Sequence, residues 1–249
     1  MTAPVFVTDP GRLDALAPGD TFVLEGPEGR HAVSVRRLRA GEEVVLTDGA
    51  GTGATGTVAA VSGKDRMDVT VVTVRSAPEP RPRITVVQAL PKGDRGELAV
   101  ETMTETGVDA VVPWTASRCV TQWKGERGLK SLGKWRATAR EAGKQSRRVR
   151  FPEVAEPAST REVARLLEGA AFAGVLHESG EVPLATAPLP VDGDLVLVVG
   201  PEGGVSPEEL RAFEAAGAVP YKLGPTVLRT STAGTAAVAV LLARTGRWG

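Results

Sequence analysis

The stretch VLVVGPEGGVSPEEL, residues 196–210, runs an apolar strand into a Pro-Glu-Gly-Gly turn and out into a capped helix. Val196 to Val199 are an unbroken β-branched and leucine run, which predicts a short strand buried on both faces. Ser206 with Glu209 three residues later forms a capping box, and Pro207 suits the first helical position. A glycine-rich turn between a strand and a helix is where α/β proteins bind ligands, because backbone groups can approach closely. The competing reading is a tight connection with no ligand, so the rest of the chain has to decide.

Strands and helices alternate on both sides of this turn. ITVVQAL is strand-like, DRGELAVETMTETG helix-like and DAVVPW strand-like. A basic helix is predicted around 129–147, followed by REVARLLEGA, FAGVLHE, PEELRAFEAAG, VPYKLG and an Ala-rich helix at about 231–244. That order predicts an α/β domain over 84–249 with a mostly parallel sheet covered on both faces. Residues 1–75 read differently. DTFVLEG, EEVVLTDG, GTVAAVS and MDVTVVTVR are short β-rich runs separated by Gly and Asp, with a short helix expected within EGRHAVSVRRLRAGEE. The Pro- and charge-rich SAPEPRPRI marks a linker at 76–83.

Composition narrows the chemistry. With 249 residues the chain can bury a sizeable core, and its 30 basic and 30 acidic residues balance. One cysteine, Cys119, excludes an internal disulfide framework, and two histidines argue against a zinc site. No basic flank leads into an apolar leader and no run is long enough to span a bilayer, which predicts a cytoplasmic protein. GTGATG (51–56) has the spacing of a dinucleotide fingerprint, but another strand follows it, so it reads as a hairpin loop. Cys119 reads as a partly buried structural thiol, and His177 as a strand-end residue at a loop or pocket rim.

The charge is not evenly spread. From Arg118 to Arg150, eleven Lys/Arg face only Glu126 and Glu141. A solvated helix face is the usual reading of such a run. This one is one-sided, contains Trp123 and Trp135, and adds to the arginines at 30–39, which suits a footprint on a phosphate backbone.

Three segments together carry a family pattern: LPKGDRGELAVETMTETGVDAVVPWTASRCV, VVGPEGGVSPEEL and LGPTVLRTSTAGTAAVAVLL. In this order, with KWRATAREAGKQSRR between the first two, they resemble the RsmE family of SPOUT-class methyltransferases, which modify a specific uridine at N3 in bacterial 16S ribosomal RNA. The resemblance implies a trefoil-knotted α/β methyltransferase domain preceded by a small PUA-like β-barrel that binds RNA. It also implies S-adenosylmethionine as cofactor, a homodimer, and a substrate within the assembled or nearly assembled small subunit. By that likeness the cofactor is held by Leu176 and His177, by Gly200, Glu202, Gly203 and Gly204, and by Leu223, Gly224 and Leu228. Thr226, Ser231 and Lys144 depart from the residues common in the family.

Uracil N3 is a poor nucleophile until its proton leaves, so the protein must align it and stabilise the anion. Arg229 is the candidate for that electrostatic role, and a structural ion pair is its competing reading. Glu202 fits a loop-fixing or cofactor role as well as proton acceptance, and no general base is assigned. Arg36, Arg37, Lys92, Arg118, Arg147 and Arg148 are the candidates for RNA phosphates. The rival functions are a ribose 2′-O-methyltransferase of the same class and a non-catalytic RNA-binding assembly factor.

Overall fold

The computed structural model describes residues 3–249. The chain divides into two compact units, Met1–Glu79 with Gly143–Phe151, and Pro80–Ala142 with Pro152–Gly249. The division is not a single cut at the Pro-rich stretch, because Gly143–Phe151 counts with the first unit.

In the first unit, β1 (Val5–Val7), β2 (Thr21–Leu24), β3 (Glu43–Thr47), β4 (Thr52–Ser62) and β5 (Arg66–Ser76) form one sheet in the order β1-β3-β4-β5-β2. All pairs are antiparallel except β1 with β3. Phe6, Leu13, Leu46 and Met67 are fully buried in its core. The expected helix after β2 is a short α1 (Gly26–Arg30) continued by a π-helical turn over His31–Val35. GTGATG is not a loop: five of its six residues lie in β4. Its glycines answer to packing instead. A Cβ on Gly53 would stand 2.8 Å from Val149 Cγ1, and one on Gly56 would stand 2.7 Å from the Thr70 carbonyl oxygen. Gly143–Phe151 is held to the same unit by backbone bonds from Gly51 N to Val149 O (2.9 Å) and from Phe151 N to Gly49 O (2.8 Å). A buried ion pair adds to this, Lys144 Nζ to Glu28 Oε1 at 3.0 Å.

The second unit is built on β6 (Arg83–Ala89), β7 (Ala110–Trp114), β8 (Glu153–Val154), β9 (Phe172–Leu176), β10 (Val182–Pro183), β11 (Asp194–Val199) and β12 (Val219–Lys222). They form a seven-stranded sheet in the order β10-β12-β9-β11-β6-β7-β8, with every pair parallel. The helices are α2 (Arg95–Thr106), α3 (Gly125–Gln145), α4 (Thr160–Glu168), α5 (Pro207–Ala215) and α6 (Thr230–Arg244). Strand β11 is central, which explains its continuous apolar run. Leu195, Leu197 and Val199 enter a core shared with α2 and α6, while Val196 and Val198 enter one shared with α4 and α5. Burying each such side chain stabilises the fold by about 1.5–3 kcal/mol. Register then sets the site: Gln88, Val199, Leu176 and Tyr221 lie side by side in one row across four strands, near their C-terminal ends.

Candidate functional site

A cleft of about 860 Å³ opens beyond that row. Its walls come from three segments: Leu176–Glu178 after β9, Val199–Val205 after β11, and Tyr221–Thr230 leading into α6. Arg95, Arg118 and Ala233 complete it. All nine cofactor candidates read from the sequence (Leu176, His177, Gly200, Glu202, Gly203, Gly204, Leu223, Gly224 and Leu228) line this one cleft, and so does Arg229. A strand-end crevice of this kind is where open α/β sheets take their ligands, and its volume lies within the range of small-molecule sites.

The Gly200–Gly204 turn is shaped by backbone requirements and by its neighbours. Gly204 has φ +73°, a left-handed conformation that other residues adopt at a cost. A Cβ on Gly200 would stand 2.9 Å from Val205 Cγ2. The turn feeds the predicted capping box: Ser206 N donates to Glu209 Oε2 (3.0 Å), and Glu209 N donates to Ser206 Oγ (3.2 Å). Glu209 does more than cap. Its Oε1 accepts from the Ser117 backbone N–H at 2.7 Å and from Thr160 Oγ1 at 3.2 Å. Burial opposes its charged form, but the hydrogen bonds from Ser117 and Ser206 outweigh burial and hold the carboxyl below its ordinary range.

Two further clamps hold the turn. Glu202 Oε1 accepts from the Lys92 backbone N–H at 3.1 Å and lies 3.5 Å from Arg95 Nη1. Arg118 Nη1 donates to the Gly203 carbonyl at 3.1 Å. Glu202 is therefore occupied as a holder of the 92–95 segment. On the opposite wall, His177 Nδ1 accepts from the Ser179 backbone N–H (3.2 Å), which places the ring proton on Nε2 when the imidazole is neutral. Burial pushes the Tyr221 phenol up, so it stays protonated at neutral pH.

The third wall presents apolar surface. Val227 is 91% exposed and Leu228 is 40% exposed at the edge of the cleft. Arg229 is the N-cap of α6 with an extended backbone, and its carbonyl accepts from Thr232 N and Ala233 N, both at 2.9 Å. Its guanidinium is exposed, and no side-chain hydrogen bond or ion pair engages it among the described residues. That disfavours the structural-ion-pair reading.

The candidates for RNA phosphates fall into two groups. Arg118 lines the cleft, and the exposed Lys92 adjoins it through its backbone bond to Glu202. Arg36, Arg37, Arg147 and Arg148 belong to the first unit. Arg37 (φ 56°) and Arg147 (φ 59°) are the non-glycine residues with left-handed backbone among those described. Arg147 Nη2 donates to the Ala3 carbonyl (3.0 Å) and Arg148 Nε to the Arg150 carbonyl (2.9 Å). The two tryptophans of the basic segment, which the sequence groups with a phosphate footprint, pack against each other. Trp135 is 2% exposed and belongs to the core, and the half-buried Trp123 packs edge-on against it at 4.9 Å. Lys124, Arg127, Lys130 and Lys134 remain exposed. Sequence reasoning missed Arg95 and Tyr221, which the fold brings to the cleft. Cys119 is half-buried, and burial pushes its thiol up, which suits a structural role. Among the described residues no cluster of His, Cys, Asp and Glu can hold a metal, and no helix is long and apolar enough to cross a membrane.

Comparison with known proteins agrees with this geometry. Residues 77–242 match the RNA methyltransferase domain family, and residues 24–72 match the RNA methyltransferase PUA domain. The chain is 46% identical over 234 residues to ribosomal RNA small subunit methyltransferase E of Mycobacterium tuberculosis, covering 92% of this chain and 89% of the relative. Among solved structures it is similar to a putative methyltransferase from Legionella pneumophila in complex with S-adenosylmethionine (TM-score 0.84, 28% identity, 98% of each chain). It is equally similar to ribosomal RNA small subunit methyltransferase E from Neisseria gonorrhoeae bound to S-adenosylmethionine (TM-score 0.83, 27% identity, 98% of each chain). With a parallel α/β sheet, a strand-end cleft and relatives of this closeness, the chain belongs to the RsmE family of RNA methyltransferases.

Proposed function

We propose that this protein transfers a methyl group from S-adenosylmethionine to N3 of one uridine in 16S ribosomal RNA. The observation that carries this reading is the convergence of three separate chain segments, with Arg229, on a single cleft. The residues suit the cofactor. Gly203, Gly204 and Gly224 leave backbone close to the ligand space, Val227 and Leu228 offer apolar contact for an adenosine, and Arg95 offers donors for a carboxylate. When bound, S-adenosylmethionine supplies an already electrophilic methyl on sulfur.

What the protein adds is alignment and charge. The walls would orient a bound uridine toward the methyl, and the exposed Arg229 guanidinium would stabilise the developing uracil anion through a carbonyl oxygen. Lys92, Arg118, Arg36, Arg37, Arg147 and Arg148 bind phosphates and position the RNA without reading its sequence. We infer that the enzyme acts in the cytoplasm, as a homodimer, on an assembled or nearly assembled small subunit. Calorimetric titration with S-adenosylmethionine tests the cleft: saturable one-site binding, weakened by substitution at Gly204, is expected. Absence of binding to the folded protein would overturn the reading.

A further inference from the structure

We propose that Gln88 and Thr230 are positioning residues. They form a buried relay that sets the spacing between the Gly200–Gly204 turn and Arg229. The inference rests on the reading of the cleft as the cofactor site. Thr230 is the first residue of α6, immediately after Arg229, and is 7% exposed. Its Oγ1 donates to the Gly200 carbonyl at 2.5 Å, and because a carbonyl can only accept, the single hydroxyl proton is committed there. The remaining lone pairs accept from Gln88 Nε2 at 3.2 Å. The same Nε2 donates to the Ala89 carbonyl at 3.1 Å. The amide orientation is thus fixed, since turning it over would set Oε1 against that carbonyl.

Gln88 is fully buried, and its Oε1 has no hydrogen-bond partner among the described residues. A buried, half-satisfied amide destabilises a fold relative to an apolar side chain of the same shape. Its donor bonds, to the Ala89 carbonyl and to Thr230, are what an apolar residue cannot supply, and the second of them reaches the cleft. The register reinforces this: Gln88 pairs with Val199, the residue before Gly200, so the relay spans one strand spacing from β6 to the turn. Through Thr230 one hydroxyl joins the turn on one wall to the N-cap on the other, fixing the width of the cleft and the origin of the Arg229 side chain.

The test uses the full-length protein and four variants: Gln88→Met, Thr230→Val, Thr230→Ser and the double Gln88→Met/Thr230→Val. Three quantities are read: S-adenosylmethionine affinity by calorimetry, single-turnover methyl transfer to small-subunit RNA, and Tm. Gln88→Met should hold or raise Tm while weakening cofactor affinity about tenfold, the effect of one lost hydrogen bond. Thr230→Val should do the same to affinity, and Thr230→Ser should restore it. The double variant should bind no more weakly than the weaker single variant, because both substitutions cut one chain of bonds. Wild-type affinity in Gln88→Met, a fall in its Tm that parallels the loss of affinity, or multiplied losses in the double variant would each overturn the relay. Methyl transfer separates this from the wider reading. A wild type that binds cofactor but transfers nothing to RNA sinks the substrate assignment, and the calorimetry still decides the relay.

Discussion

The Glu209 carboxylate accepts the Ser117 backbone N–H at 2.7 Å across 92 residues of sequence, and so ties the start of α5 to the loop that carries Arg118. Hydrogen bonds hold its carboxyl below the ordinary range against the opposing effect of burial. A depressed folded-state pKa contributes stability that is present above the unfolded value and lost as pH falls through the folded one. The stability of wild type against denaturant should therefore fall on acidification below the ordinary glutamate range. Glu209→Ala should lose about 1–3 kcal/mol at neutral pH through the orphaned N–H groups, and part of that acid dependence with it. An unchanged pH profile in the variant would contradict this assignment.

The glycine turn makes a second prediction. Gly204 has φ +73° and Gly203 faces Arg118, whose Cβ would lie 3.2 Å from an added Cβ. Gly204→Val forces a β-branched residue into a left-handed conformation, at a cost of roughly 1–3 kcal/mol. The cofactor affinity should fall at least tenfold, with far-ultraviolet circular dichroism unchanged. Retained affinity would show that this turn does not contact the cofactor.

How much of this was legible in the sequence depends on the range of each interaction. The Val196–Val199 strand and the Ser206–Glu209 box are local and read correctly, because burial on both faces and a three-residue spacing leave their mark in a short window. The other partners of Glu209, Ser117 and Thr160, are distant in the chain and leave no such mark. In the sequence Trp135 stands among cations, with nothing local to mark it as core. Its ring fills the space over Gly96, where an added Cβ would stand 2.6 Å from Trp135 Cζ2. The glycines of GTGATG signalled close packing within a strand, and glycine spacing alone does not separate that from a turn. The family motifs led to the cleft. Arg95 and the bond from Thr230 to Gly200 emerged only from the fold.

Arg229 carries the third prediction. Its guanidinium is exposed at the cleft on a rigid N-cap, so Arg229→Ala should leave the fold and cofactor affinity nearly intact. The single-turnover rate should drop about 10²-fold or more, the effect of removing one oxyanion-type donor. A normal rate would remove Arg229 from the mechanism.

The exposed cations of α3 give a fourth. Arg127, Lys130 and Lys134 sit at i, i+3 and i+7, on one side of the helix. If this side lies on phosphates, replacing all three with Gln should flatten the slope of log affinity for RNA against log salt by about 2 to 3, with cofactor binding spared. Equal slopes would place the RNA elsewhere.

Methyl transfer to uracil N3 is tested by following the methyl group itself. Small ribosomal subunits lacking the modification are incubated with the protein and S-adenosylmethionine labelled on the methyl. The ribosomal RNA is then digested to nucleosides. Label is expected in 3-methyluridine, with the yield abolished or strongly reduced in Arg229→Ala. Label in a 2′-O-methylated nucleoside, or no transfer from a protein that binds the cofactor, would contradict transfer to N3.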